Sequence, residues 1–272
     1  MSLIKPFAGL RPAPGRAPEV VAPPYDVMSA EEARHMVEGR PWSFLHVSRP
    51  EVDLPAQTDP YAPQVYARAR ENLDRMVAQG VLGRDPREHY YVYRLTMAGH
   101  VQTGLVAAAS VAAYDADRIK KHEFTRPVKE DDRVRQIDAL NAQTGPVFLV
   151  YRSTDAIDDA LAAETAAAPA VDLTAADGVR HELWVVDDKA VIEAVSAAFD
   201  GLDALYVADG HHRSAAASRV AAARKAANPR HTGREPYNYF LSVIFPHTQM
   251  QILAYNRLVR DLHGHDAEAF IR

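Results

Sequence analysis

The sequence has no cysteine, which removes disulfides, thiolate nucleophiles and cysteine-ligated zinc from consideration together. It has no surplus of positive charge either. Thirty-one lysines and arginines against 36 aspartates and glutamates leave a net charge of −5, so no global field draws in nucleic acid, and none is expected as a partner. Long apolar runs are also missing. The longest, around Gly104–Tyr114, is far short of the roughly 18 residues a membrane-spanning helix needs, so no membrane partner is expected. The opening "MSLIKPFAGLRPAPGR" lacks the apolar core of a signal peptide, and the expected location is the cytoplasm.

What is present, in 272 residues, is 47% hydrophobic and 25% charged, the profile of a folded globular chain. The 18 prolines are dense in the first fifty residues ("RPAPGRAPEVVAPPYDVMS"), which predicts mostly extended backbone there. Ser29 and Glu32 form a capping box ahead of a helix that Gly39 stops. Val65, Ala69, Leu73 and Met76 recur at helical spacing and predict a helix over 61–79. "HYYVYRLTMAGHVQTGLVAAASV" reads as two strands joined by a Met-Ala-Gly-His hairpin turn. In "DADRIKKHEFTRPVKEDDRVRQIDALNAQTG" only the part from about Glu130 has the look of a helix, and Lys129 through Arg135 read as a solvated face. Beyond it, strands are predicted at "PVFLVYR", 170–173, 181–186, 205–209 and 239–245, with helices over 155–165, 188–199 and 211–227. A hairpin followed by strand–helix–strand units predicts an α/β (α+β) fold with a mixed sheet. An N-terminal extended and helical region, 1–85, is expected to precede a mixed-sheet core, 86–272.

The stretch "LYVADGHHRSAAASRVAAARKAA", 205–227, runs from strand to helix through Asp-Gly-His-His-Arg. A strand that turns into a helix at glycine leaves unpaired amides at the positive end of the helix dipole, where anions bind. Gly210 lets an oxyanion approach closely, Arg213 can grip phosphate with two donors, and His211 or His212 can donate a third contact. Asp209, at the carboxyl end of the strand, is placed to hold Mg²⁺ or a hydroxyl. Glycine at a tight turn and aspartate near a helix start are also ordinary structural devices. Adjacent histidines point about 100° apart on a helix, and "HEFTR" has Arg126 where a HExxH zinc motif needs its second histidine, which argues against metalloprotease chemistry. Upstream, His122 and Glu123 lie on an irregular stretch before Pro127, where a carboxylate can serve as general base.

"PPYDVMS", "SFLHVSRP", "KKHEFTRPVKEDDR", "GPVFLVYR" and "ADGHHR" resemble, in that order and over essentially the whole chain, a bacterial and archaeal family of formerly unknown function. The Asp-Gly-His-His-Arg box resembles the phosphate-binding box of the ParB/sulfiredoxin-like fold. It is closest to that of the archaeal free serine kinase, which transfers a phosphoryl group from a nucleotide to free L-serine. The resemblance implies a ParB/sulfiredoxin-like core with inserted strand–helix units and an N-terminal extension. It also implies that Asp209, Gly210, His211, His212 and Arg213 bind donor phosphates, and that Glu123, beside His122, is the catalytic base. Here the separation between His-Glu and the box is longer than in the kinase. The chain stops at "HDAEAFIR" within an expected helix, so a C-terminal continuation is expected.

Tyr25, Asp26 and Arg126 are candidates for binding the amino acid, Asp26 through its ammonium, with His46, Ser48 and Arg49 as alternatives for its carboxylate. The function expected is a Mg²⁺-dependent kinase that takes ATP, ADP or pyrophosphate as donor and free serine or a related hydroxy amino acid as acceptor. The rival is a ParB-like switch that binds and hydrolyses a nucleotide with no acceptor.

Overall fold

The computed structural model describes residues 2–254, 256 and 258–272. Strands β1 (Ile4–Lys5) and β2 (Leu10–Pro12) lead into the short helices α1 (Ala17–Val20), α2 (Ala30–Val37) and α3 (Leu45–Ser48), then the long helix α4 (Pro63–Ala78). The proline-rich stretch supplies the extended links between these pieces. Ser29 caps α2 as expected: its hydroxyl accepts from the Glu32 amide, and the Glu32 carboxylate accepts from the Ser29 amide.

After β3 (Leu82–Arg84), strands β4 (Tyr90–Met97) and β5 (His100–Ser110) form the expected hairpin. Helix α5 (Val111–Asp115), the two-residue strand β6 (Ile119–Lys120), helix α6 (Pro127–Leu140) and strand β7 (Val147–Tyr151) follow. The helix expected from about Glu130 starts earlier, at Pro127 in its first position. Proline lacks the amide that the first helical residue does not need, so it opens this helix instead of delaying it.

The last third alternates: α7 (Asp155–Glu164), β8 (Val171–Thr174), β9 (Arg180–Val186), α8 (Lys189–Asp200), β10 (Leu205–Asp209), α9 (His211–Ala227), β11 (Tyr239–Pro246) and α10 (Ala267–Ile271).

The result is an α/β fold around a nine-stranded mixed sheet in the order β6-β10-β7-β11-β5-β4-β9-β8, with β1 added on β5. Two pairs are parallel, β6 with β10 and β7 with β11. Strand β4 covers one edge of β5 only as far as Val106, and β1 takes the same strand further on, at Ala108 and Ala109. The N-terminal region therefore contributes to the main sheet. Its remaining strand, β2, pairs with β3 in a separate two-stranded sheet.

Two buried clusters hold these layers. The larger gathers Leu105, Leu149, Leu205 and Val207 of the sheet with Ile157, Phe199 and Ala217 of the helices. The smaller joins Val20, Val47, Leu73, Met76 and Leu82 to Leu140 at the end of α6. Helix α6 packs between α4 and α9. Arg219 of α9 bridges Glu130 and Asp131 of α6, and Arg224 reaches Asp138 and Asn141. These pairs fix the start of α6 against the middle of α9, and the end of α6 against the last turns of α9.

Candidate functional site

Strands β6 and β10 run parallel, with Ile119 opposite Leu205 and Lys120 opposite Tyr206. Parallel neighbours release their chains at the same end of the sheet, so residues 121–126 and the turn at Asp209–Gly210 emerge side by side. Carboxyl ends of parallel strands are where α/β sheets collect ligands. An irregularity between Val207 and Asp209, opposite β7, bends the end of β10 just before the turn.

Gly210 has φ +94°, a left-handed value that L side chains rarely adopt. No side chain caps α9, so the amides of its first turn face outward with the positive end of the dipole. The Arg213 guanidinium folds back over this glycine. A Cβ built on Gly210 would lie 3.0 Å from its Nε. Arg213 pairs with Asp209 and donates to the Pro146 carbonyl, which fixes it over the turn. His212 faces the other loop: its Nε2 accepts from the Arg126 amide at 3.0 Å. That bond leaves Nδ1 as the protonated nitrogen of a neutral ring. The Arg126 side chain itself is exposed.

His122, Glu123 and His211 come together although 89 positions separate His122 from His211 in the chain (211 − 122). The Glu123 carboxylate lies 3.2 Å from Nδ1 of His211 and 4.0 Å from Nε2 of His122. The two imidazole rings meet edge to face with centroids 4.5 Å apart. His211 is buried, 4% exposed, while Glu123 and His122 keep 61% and 62% of their side-chain surface. Burial lowers the pKa of His211 below that of a free histidine, against the opposing pull of Glu123. Phe124, the next residue, is fully exposed.

A small, open cleft of about 30 Å³ lies next to Arg213, between α6, the segment before β7 and the N-terminal region. Tyr25, Ser48, Arg133, Gln143 and Thr144 line it with Arg213. Burial raises the pKa of the Tyr25 hydroxyl, against the pull of Arg133, whose guanidinium lies 4.3 Å from the centre of the tyrosine ring. The structure thus brings Tyr25 and Ser48 to the cleft that Arg213 borders. Asp26 is exposed on the turn that follows Tyr25.

Two expectations are corrected here. His46 is buried and both ring nitrogens are engaged, Nδ1 with Asp53 at 2.8 Å and Nε2 with the Arg40 carbonyl at 3.1 Å. Arg49 donates to the carbonyls of Tyr25 and Met28 and pairs with Glu51. His46 has no nitrogen to spare for a substrate carboxylate, and Arg49 spends Nε and Nη1 on its own loops. Both hold the N-terminal loops in shape. Arg133, read from the sequence as part of a solvated face, is only 15% exposed and points inward. The charge density of its segment concealed it, and a helix that starts at Pro127 turns this residue toward Tyr25.

The family model described as "Protein of unknown function (DUF1015)" matches residues 4–272. The chain belongs to this family. No curated protein and no solved structure matches it. The match takes in both halves of the DUF1015 site, the 121–126 loop and the 209–213 turn, and also the N-terminal wall of the cleft. Gln143 and Thr144, on the side of the cleft before β7, with the Pro146 carbonyl, carried no signal in the sequence. A backbone carbonyl has none to give, and the amide and hydroxyl side chains sit in an ordinary-looking link between helix and strand.

Proposed function

We propose that this protein is a cytoplasmic phosphotransferase with a ParB/sulfiredoxin-like core, moving a phosphoryl group from a nucleotide or pyrophosphate to the hydroxyl of free L-serine or a related hydroxy amino acid. The observation that carries this reading is the Glu123 carboxylate beside the uncapped start of α9. The amides of that turn and the Arg213 guanidinium receive the donor phosphates. The acceptor hydroxyl attacks the terminal phosphorus as the bond to the leaving phosphate breaks, and its proton passes to Glu123. Phosphoryl transfer asks mainly for such positioning and charge neutralisation.

Mg²⁺ keeps most of its waters and takes one or two carboxylates with the donor phosphates. Asp209, with 69% of its side chain exposed, suits that role, and the ion would neutralise phosphate charge there. The cleft lined by Tyr25, Arg133 and Arg213 offers the acceptor a place beside the same turn, with Arg133 as the cation for its carboxylate.

The test is phosphorus NMR of the full-length protein with Mg²⁺, each of ATP, ADP and pyrophosphate, and a panel of hydroxy amino acids. A new phosphoester signal with one acceptor is the expected result. Glu123→Gln is expected to reduce turnover by about 10²- to 10⁴-fold, the span of general-base contributions, while donor binding survives. Nucleotide consumption independent of any amino acid would replace this reading with that of a nucleotide switch. Equal loss of turnover and donor binding in Glu123→Gln would remove the carboxylate from the role of base.

A further inference from the structure

Histidine in a protein interior normally has both ring nitrogens satisfied, because an unpaired buried polar atom costs about 1–3 kcal/mol. His46 follows the rule, with a carboxylate on one nitrogen and a carbonyl on the other. His211 does not. Its side chain is 3% exposed, its Nδ1 faces the exposed carboxylate of Glu123, and its Nε2, on the far side of the ring, is buried without a hydrogen-bond partner among the described residues. The nitrogen turned toward the open side of the cluster, Nδ1, is held there by an exposed carboxylate, a partner that an ion can displace.

Around it stand two more groups of the same chemistry. His122, Glu123 and His211 each offer one ligand atom, and the three lie within 4.8 Å of one another. Ligands about 2.0–2.1 Å from a tetrahedral ion are roughly 3.3 Å apart. The 3.2 Å between His211 and Glu123 already meets this. The 4.0 Å between Glu123 and His122 needs the exposed imidazole to swing inward by about 1 Å, within the reach of one side-chain rotation.

We propose that His122, Glu123 and His211 form a binding site for a divalent transition-metal ion of the zinc class, with one or two positions left open to water or ligand. The donor set selects the ion. Two imidazoles and a carboxylate suit Zn²⁺, Co²⁺, Mn²⁺ or Fe²⁺, whereas Mg²⁺ and Ca²⁺ take oxygen ligands. Binding replaces the contact between His211 and Glu123 with two metal bonds, involves no electron transfer, and occupies the carboxylate that phosphoryl transfer requires as a base. This site and that reaction are therefore separate claims on Glu123, and the ion is expected to compete with turnover instead of supporting it.

The experiment titrates metal-free full-length protein with Co²⁺, followed by its visible absorption bands, and then with Zn²⁺, with no nucleotide or acceptor present. One Co²⁺ per chain, displaced by Zn²⁺ and not by Mg²⁺, is the expected result. His122→Ala and His211→Ala are each expected to weaken binding at least about tenfold, while His35→Ala, at an exposed histidine outside the cluster, leaves it unchanged. Because His122 is exposed, its substitution tests the site without disturbing the core, and a thermal melt verifies that both variants fold. Absence of saturable binding, or binding that survives the loss of either histidine, overturns the proposal. Failure here leaves the phosphotransferase reading standing, and absence of a phosphoester leaves the metal site standing.

Discussion

Single residues carry the constraints at the site. Gly210 combines a left-handed backbone with a guanidinium packed over its missing side chain. Gly210→Ala is expected to cost about 1–2 kcal/mol for the backbone alone. It should also push Arg213 off the turn and, on the proposed function, weaken nucleotide binding at least about tenfold; denaturant unfolding and calorimetric ATP titration measure the two effects. Asp53 plays a different part, in the N-terminal region. Burial would raise its pKa, but hydrogen bonds from His46 and Asn72 prevail and hold it below the usual carboxylate range. A carboxylate depressed in the folded state adds stability above its unfolded pKa, about 3.9, and loses that contribution as pH falls through the lower folded value. Asp53→Asn is thus expected to destabilise the protein by about 1–3 kcal/mol at neutral pH. The gap from the unsubstituted protein should close below pH ~4, as read by unfolding curves across pH.

At the scale of elements, local chemistry set most boundaries. The capping box at Ser29, Asp188 accepting from the amides at the start of α8, and the strand that ends in Asp209 before Gly210 are each written in one or two side chains. The β4–β5 hairpin is a less comfortable case, since its two turn residues, Ala98 and Gly99, both have positive φ, +49° and +84°. A two-residue hairpin needs that twist, and glycine supplies it without strain. Ala98→Gly is expected to stabilise the protein by about 1 kcal/mol, measured by thermal or denaturant unfolding. Strands β1, β2 and β3, of two or three residues, were not legible. They are too short for alternation to register, and pairing with partners about 70 to 105 positions away defines them.

For the whole molecule, the division at residue 85 is one of chain order and not of independent folding units. Strand β1 belongs to the main sheet, Gly9 donates to the Tyr91 hydroxyl at 2.8 Å, and the smaller cluster closes on Leu140. A fragment of residues 86–272 would leave Ala108 and Ala109 of β5 without β1 and expose Leu140 and one wall of the cleft. It is expected to unfold without a cooperative transition, and calorimetry beside the full chain checks this. A sharp fragment melt would show that the mixed-sheet region folds alone.

The sequence by itself determined the α/β class, the long helices and core strands, and the tight strand–helix turn at Gly210, because each depends on residues within a few positions of one another. It also offered Glu123 and the 209–213 run as chemistry worth seeking. Only the tertiary structure decided that His211, and not its neighbour His212, faces Glu123, and that His122 completes the group. It alone turned Arg133 inward and spent His46 on a buried network. The reason is physical: parallel pairing of β6 with β10 and the ion pairs between α6 and α9 bring distant segments into register, and no local pattern encodes contacts between residues that far apart in the chain.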